Sequence, residues 1–232
     1  MTFHMRKILY ILISCLAVAA CAHKTALEMD SSDFVNVSEA VPDVILEIRY
    51  YSTYNFVGDR IDGYEAPVAL MTKEGAAALK KASDALIAKG YRLKVFDAYR
   101  PQTAVNHFIR WAEQVDDIRM KEYFYPDVDK SLLFELEFIC AKSSHSRGST
   151  VDLTLFDMKT EREVDMGGTF DWFGEESYPD YDGITDEQKA MRGILRDAML
   201  AAGFKPFATE WWHFTLADEP YPDTYFDFPV KN

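Results

Sequence analysis

The run Val151-Asp152-Leu153-Thr154-Leu155 alternates apolar and polar residues, which is the period of a strand set into a hydrophobic core. Val151, Leu153 and Leu155 share one face, and Asp152 and Thr154 share the other. A carboxylate in the middle of such a strand loses its solvation, a cost that a metal ion or an arginine partner at Asp152 would remove. Just upstream, the polar, turn-prone stretch Lys142 to Gly148 carries His145.

A second ionisable pair sits in apolar surroundings at Thr209-Glu210-Trp211-Trp212-His213-Phe214. A regular strand would send Glu210 and His213 to opposite faces, because their spacing is odd. Convergence on one site therefore requires a bend or bulge at the tryptophans. His145, Asp152 and His213 form a possible three-ligand zinc set that leaves one coordination position for water, with Glu210 free to act as a base. Spacing alone equally allows two hydrogen-bonded imidazoles and a salt-bridged aspartate. A third element is Phe96-Asp97-Ala98-Tyr99-Arg100-Pro101, where a strand gives way to a helix opened by proline. Arg100 at that junction suits either stabilisation of a developing oxyanion or a salt bridge to one of the many carboxylates.

Around these segments the periodicity predicts a helix from Thr72 through Ala76, Leu79, Ala82, Leu86 and Ile87, stopped by Gly90. A half-buried strand is predicted over 91–97. A helix after Pro101 turns Val105, Phe108, Ile109 and Ala112 inward and leaves His107 as a surface polar residue. Thr185 and Gln188 form a capping-box pattern ahead of Met191, Ile194, Leu195, Ala198 and Met199, with Gly203 at the far end. Strands are predicted at 151–156 and 212–216. Helices and strands mix without regular βαβ alternation, so the expected class is α+β, a single domain with a mostly antiparallel sheet flanked by helices.

The chain opens with an address. Arg6 and Lys7 precede an apolar run from Ile8 to Ala20, the length of a secretory h-region and too short to favour a membrane span. It ends in Val18-Ala19-Ala20-Cys21, which resembles a bacterial lipobox; cleavage there leaves Cys21 as a lipidated N-terminus. An ordinary signal cleaved near Ala20 and an uncleaved anchor are the alternatives. Ala22, where an aspartate would retain the protein at the inner membrane, points to the outer membrane. The expected organisation is a lipoprotein signal peptide at 1–20, a tether at 21–34 and one domain at 35–232, in the periplasm, with membrane contact only through Cys21.

Composition excludes several classes. With 25 basic against 38 acidic residues the net charge is −13, the wrong sign for nucleic acid, and loss of Arg6 and Lys7 with the leader makes the remainder more acidic still. Three cysteines, one in the leader and one at the lipobox, leave Cys140 without an intramolecular disulfide partner. Its neighbours Phe138, Ile139 and Ala141 are apolar, so it reads as a small buried hydrophobe.

Taken together, Ser143-Ser-His-Ser-Arg-Gly-Ser-x-x-Asp-Leu-Thr-Leu155, Glu210-Trp-Trp-His213, Asp97-x-Tyr-Arg-Pro101, Asp62-Gly-Tyr-Glu65 and the stretch from Asp218 to Val230 resemble the D-alanyl-D-alanine dipeptidases of the M15 zinc peptidase family. The likeness runs from about Tyr50 to the C-terminus. It implies the zinc D,D-peptidase, hedgehog-like fold and one Zn²⁺ per chain held by His145, Asp152 and His213. It further implies Glu210 as general base and proton shuttle, Arg100 as stabiliser of the transition state, and Ser143, Tyr50, Tyr64 and Asp171 near the substrate.

The resemblance implies hydrolysis of D-Ala-D-Ala to two D-Ala. The export signal departs from the cytoplasmic resistance enzymes and points to periplasmic scavenging of peptidoglycan fragments. Two rivals stand beside this expectation. A muropeptide carboxypeptidase would use the same zinc site with an open groove in place of a small cavity capped by an acid. A non-catalytic zinc- or cell-wall-binding lipoprotein would have no use for Glu210 and Arg100.

Overall fold

The computed structural model describes residues 31–232, of which 33–232 form one compact unit. The leader, Cys21 and most of the expected tether lie outside the described residues. Among the described residues, no helix is long and apolar enough to cross a membrane.

Strand β1 (Phe34–Asn36) pairs antiparallel with β3 (Leu70–Thr72), so the first strand among the described residues starts at the last residue of the expected tether. Between them lie α1 (Val37–Ala40) and the two-residue β2 (Ile45–Leu46). Helix α2 (Lys73–Ile87) starts where the sequence predicts: the Thr72 side chain accepts a hydrogen bond from Gly75 N, a cap worth about 1 kcal/mol. Gly90 follows with φ +89°, a left-handed turn that feeds β4 (Tyr91–Asp97). Helix α3 (Gln102–Glu113) buries Val105, Phe108 and Ala112 as expected, with Ala104 and Trp111 beside them, while Ile109 is half-buried. His107 accepts a hydrogen bond from Asp62 N, on the surface side.

After the short α4 (Lys121–Phe124) and a looping segment, β5 (Thr150–Asp157) and the two-residue β6 (Arg162–Glu163) follow. Helix α5 (Asp186–Ala201) carries both halves of the Thr185–Gln188 capping box. The chain closes through β7 (Phe204–Pro206) and β8 (His213–Leu216). The main sheet has the order β2-β4-β5-β8-β7, with β6 pairing the far end of β5. The β2–β4 pair is parallel and every other pair is antiparallel. Helix α2 packs against β4 and α5. The result is the expected α+β class with a mostly antiparallel sheet.

The core sits around β5, where Val151, Leu153 and Leu155 are fully buried. An aromatic layer joins it: Tyr50 packs on Phe108 and Tyr64, and Phe96 stacks on Phe170 at 4.8 Å between centroids. Such packing holds the strand ends that carry the polar groups in fixed positions.

Candidate active site

Antiparallel pairing sets Asp152 of β5 directly opposite His213 of β8, so the two side chains share a face. His145 reaches the same point from a 3-10 turn, Ser144–Arg147, just before β5. That turn ends at Gly148 with φ +82°, where a Cβ would run into the ring of Phe34; only glycine lets the chain close against β1 there. The turn is pinned from outside by a two-pronged ion pair from Arg147 to Glu219, at 2.7 and 2.8 Å.

His145 Nε2 lies 3.1 Å from Asp152 Oδ2 and 3.2 Å from His213 Nδ1, and His213 Nδ1 lies 3.1 Å from Asp152 Oδ1. All three residues are buried and form the described group of donors able to hold one metal ion. Bonds of about 2.0–2.1 Å place the ligand atoms of a tetrahedral zinc roughly 3.3–3.4 Å apart, close to these separations. Asp152 Oδ1 is buried without a well-directed hydrogen bond, as an oxygen reserved for a cation would be. His145 Nδ1 donates to Ala98 O at 2.7 Å, which leaves the Nε2 lone pair free to coordinate. His213 Nε2 sits 3.2 Å from Ser144 Oγ, orienting the second ring with Nδ1 inward. The donor set fits zinc.

The chain turns at Trp211 and Trp212, so the bend anticipated there exists. It carries Glu210 back beside the metal ligands, with Oε2 3.3 Å from His213 Nδ1. Glu210 is only partly buried and lines a cavity of about 430 Å³ together with His145, Asp152 and His213.

Arg100 lines the same cavity. Its Nε donates to Asp97 Oδ2 at 2.9 Å, while Nη2 lies 3.4 Å from Asp152 Oδ2 and Nη1 3.5 Å from Ser143 Oγ. Tyr50 and Phe108 pack against the guanidinium at 4.8 and 5.4 Å. Tyr50 also lines the cavity and donates to both carboxylate oxygens of Asp171, at 3.0 and 3.1 Å. Ser143 lines the cavity too, its hydroxyl also accepting from His145 N. Tyr64 is not among the lining residues and donates to Asp97 Oδ1 at 2.6 Å.

Asp97 has no role in the sequence patterns described above. The available signal was its place three residues before Arg100 at a strand end, within the Asp-x-Tyr-Arg-Pro motif. Cys140 corrects another expectation. Ile139 is buried and Phe138 stacks on Phe173, but the turn sends Cys140 outward, so it is exposed at the cavity rim. Apolar neighbours do not report a residue's own direction in an irregular segment.

Electrostatics follow the geometry. Burial opposes charge on Asp152, yet the two imidazoles beside it hold its carboxyl well below the usual range. Burial likewise opposes charge on His213, but Asp152 and Glu210 lift it to about 9 in the metal-free site. Asp171 moves the other way: burial, with the negative charge of Asp152 nearby, pushes its carboxyl well above the usual range. An incoming cation would relieve that penalty.

The family model described as D-ala-D-ala dipeptidase matches residues 30–231. The chain is 41% identical over 198 residues to the D-alanyl-D-alanine dipeptidase of Enterococcus faecium, covering 85% of this chain and 98% of that protein. It is 41% identical over 200 residues to the protein of the same name from Streptomyces coelicolor, covering 86% and 99%. The Escherichia coli protein of that name is 30% identical over 187 residues, covering 81% and 86%.

Proposed function

The chain belongs to the M15 peptidase family of D-alanyl-D-alanine dipeptidases, and from that premise we propose how its own residues divide the work of hydrolysing a free D,D-dipeptide. The enzyme is a zinc metallopeptidase acting on dipeptide bonds of the D-Ala-D-Ala type, with one metal ion held by His145, Asp152 and His213. When bound, zinc supplies Lewis-acid polarisation of the scissile carbonyl and of the attacking water.

Glu210 takes the proton from the attacking water and passes it to the leaving amine, the two halves of one general base and acid cycle. Its partial exposure beside His213 suits a group that must both accept and release a proton. Arg100 presents Nη1 and Nη2 where the carbonyl oxygen gains negative charge, its Nε being already committed to Asp97. Asp171, steadied by Tyr50, receives the substrate ammonium, and the Ser143 hydroxyl binds elsewhere on the dipeptide. The observation that carries this division is the single cavity of about 430 Å³ lined by the three ligands, Glu210, Arg100 and the buried acid Asp171. A buried carboxylate within the cavity favours a substrate with a free amino group over a long muropeptide. The lipobox-like run Val18-Ala19-Ala20-Cys21 supports a periplasmic, outer-membrane-anchored setting, in which the enzyme would scavenge dipeptide from wall turnover.

The test is hydrolysis of D-Ala-D-Ala, L-Ala-L-Ala and a D-Ala-ended pentapeptide by the mature protein, with and without a chelator. Chelator-sensitive cleavage of the D,D-dipeptide in preference to the other two is expected. Equal cleavage of the pentapeptide would replace this reading with a carboxypeptidase.

A further inference from the structure

Asp97 is a nearly wholly buried carboxylate that neither coordinates the metal in the arrangement above nor lines the cavity. Its position comes from an irregularity in β4. Val95 pairs with Leu153 of β5, but the next register pair is Asp97 with Asp152, so one extra β4 residue is accommodated between them. The bulge sets Asp97, Asp152 and His213 in one row across three adjacent strands. Two like charges directly opposite each other destabilise a sheet unless a cation joins them. Arg100 does so, with Nε 2.9 Å from Asp97 and Nη2 3.4 Å from Asp152.

The two contacts differ in quality. The Asp97 bond is short and uses Nε, the nitrogen nearest the side-chain stem; the Asp152 and Ser143 contacts, at 3.4 and 3.5 Å, are at the limit of hydrogen bonding. Tyr64 fixes the other oxygen of Asp97 at 2.6 Å. His145 is not a competing partner, since its Nδ1 donates to Ala98 O at 2.7 Å and stands 3.6 Å from Asp97.

We propose that Asp97 is a positioning residue for Arg100: by holding Nε it keeps the guanidinium from pairing fully with the metal ligand Asp152 and leaves both terminal nitrogens available to the substrate. Tyr64 sets Asp97 in turn. With the charge of Asp97 removed, Asp152 is the remaining carboxylate in contact with Arg100, and the guanidinium swings toward it. The inference rests on the role given to Arg100 above.

The test is a double-mutant cycle on the zinc-loaded enzyme with D97N, R100A and the pair, reading kcat, KM, zinc content and melting temperature. D97N is expected to lower kcat about 10- to 100-fold, the cost of misplacing a catalytic group by about an ångström, with zinc content and KM within about twofold of wild type. In the R100A background the same change is expected to cost no more than about threefold. Tyr64→Phe, which keeps the ring and loses one hydrogen bond, gives a smaller loss of kcat that also disappears with R100A, and it decides the question if D97N does not fold. Equal kcat losses in both backgrounds, loss of zinc, or wild-type kcat in D97N and Tyr64→Phe would each overturn the proposal. Wild-type kcat in R100A itself would instead remove the role given to Arg100, and the proposal with it.

Discussion

Asp152 and His213 face one another across an antiparallel strand pair, and their facing atoms lie 3.1 Å apart. The metal centre is therefore half built into the sheet, and His145 completes it from a turn. A site assembled this way has two of its three donors set opposite each other by backbone pairing.

Each ligand should be separately necessary. His145→Ala, Asp152→Ala and His213→Ala are expected to lower zinc content to below about a tenth of wild type, since two donors do not retain structural affinity. Elemental analysis of the purified variants checks this; full zinc occupancy in all three would refute the assignment.

Metal binding should release a proton. In the metal-free protein His213 is protonated up to about pH 9, whereas a coordinating imidazole must be neutral. Near pH 7.5, about one proton per zinc is expected, measured by titration calorimetry in buffers of different ionisation enthalpy. The sign for stability follows from the same shift. A histidine raised from its ordinary value near 6.5 to about 9 stabilises the metal-free fold fully below about pH 6.5. That contribution is lost as pH rises through about 9, so the melting temperature of metal-free protein should fall across this window.

The base is separable from the ligands. Glu210→Gln is expected to keep zinc and lose at least about a hundredfold in turnover, because size and polarity persist while the proton acceptor is gone. Arg100→Lys should not restore full activity, as an ammonium cannot bond Asp97 through a stem nitrogen and still present two donors to substrate. Steady-state kinetics on metal-saturated variants decide both points.

Much of this was readable in the sequence where the information is local. The Thr72 cap, the 91–97 strand, the Thr185–Gln188 box and the bend at Trp211–Trp212 all depend on neighbours in the chain, and each is present. The donor types of the site were legible because ionisable residues stood in apolar surroundings. The placement of Asp97 beside Asp152 was not, since it arises from a bulge that shifts register between distant strands, which no window of sequence contains. Tyr64, in the Asp62-Gly-Tyr-Glu65 motif, donates to Asp97 and is not among the residues lining the cavity: motif membership reports proximity to a site, not the layer a side chain occupies.

Recognition of the amino end can be isolated. Asp171→Asn is expected to raise KM for D-Ala-D-Ala by about tenfold or more, while leaving zinc content unchanged. For N-acetyl-D-Ala-D-Ala, a poor substrate of the parent, the same change should have little effect or help. Because burial holds the Asp171 carboxyl well above its usual range, KM for the free dipeptide should fall as pH rises and the group ionises. Identical KM changes for free and acetylated substrate would exclude an ammonium contact at Asp171.

The address is testable without kinetics. Labelled fatty acid should enter the mature protein, and Cys21→Ser should abolish labelling while the folded domain keeps its zinc. Label that persists in Cys21→Ser would remove the lipoprotein reading.

Asp171 stands at φ +61°, a backbone state that glycine, asparagine and aspartate enter more readily than other side chains, although Glu137 and Glu161 also adopt it in this chain. Of those three, aspartate alone brings a negative charge. The position has a narrowed mutational vocabulary: glutamate, the obvious conservative exchange, enters this backbone state less readily than aspartate and carries its carboxylate one methylene further into the cavity. Drift at this codon therefore abolishes the charge more readily than it relocates it. If Asp171 receives the substrate ammonium, the readily tolerated exchanges to asparagine or glycine would remove that contact, and restoring it would need a new acid on a different segment of the cavity wall.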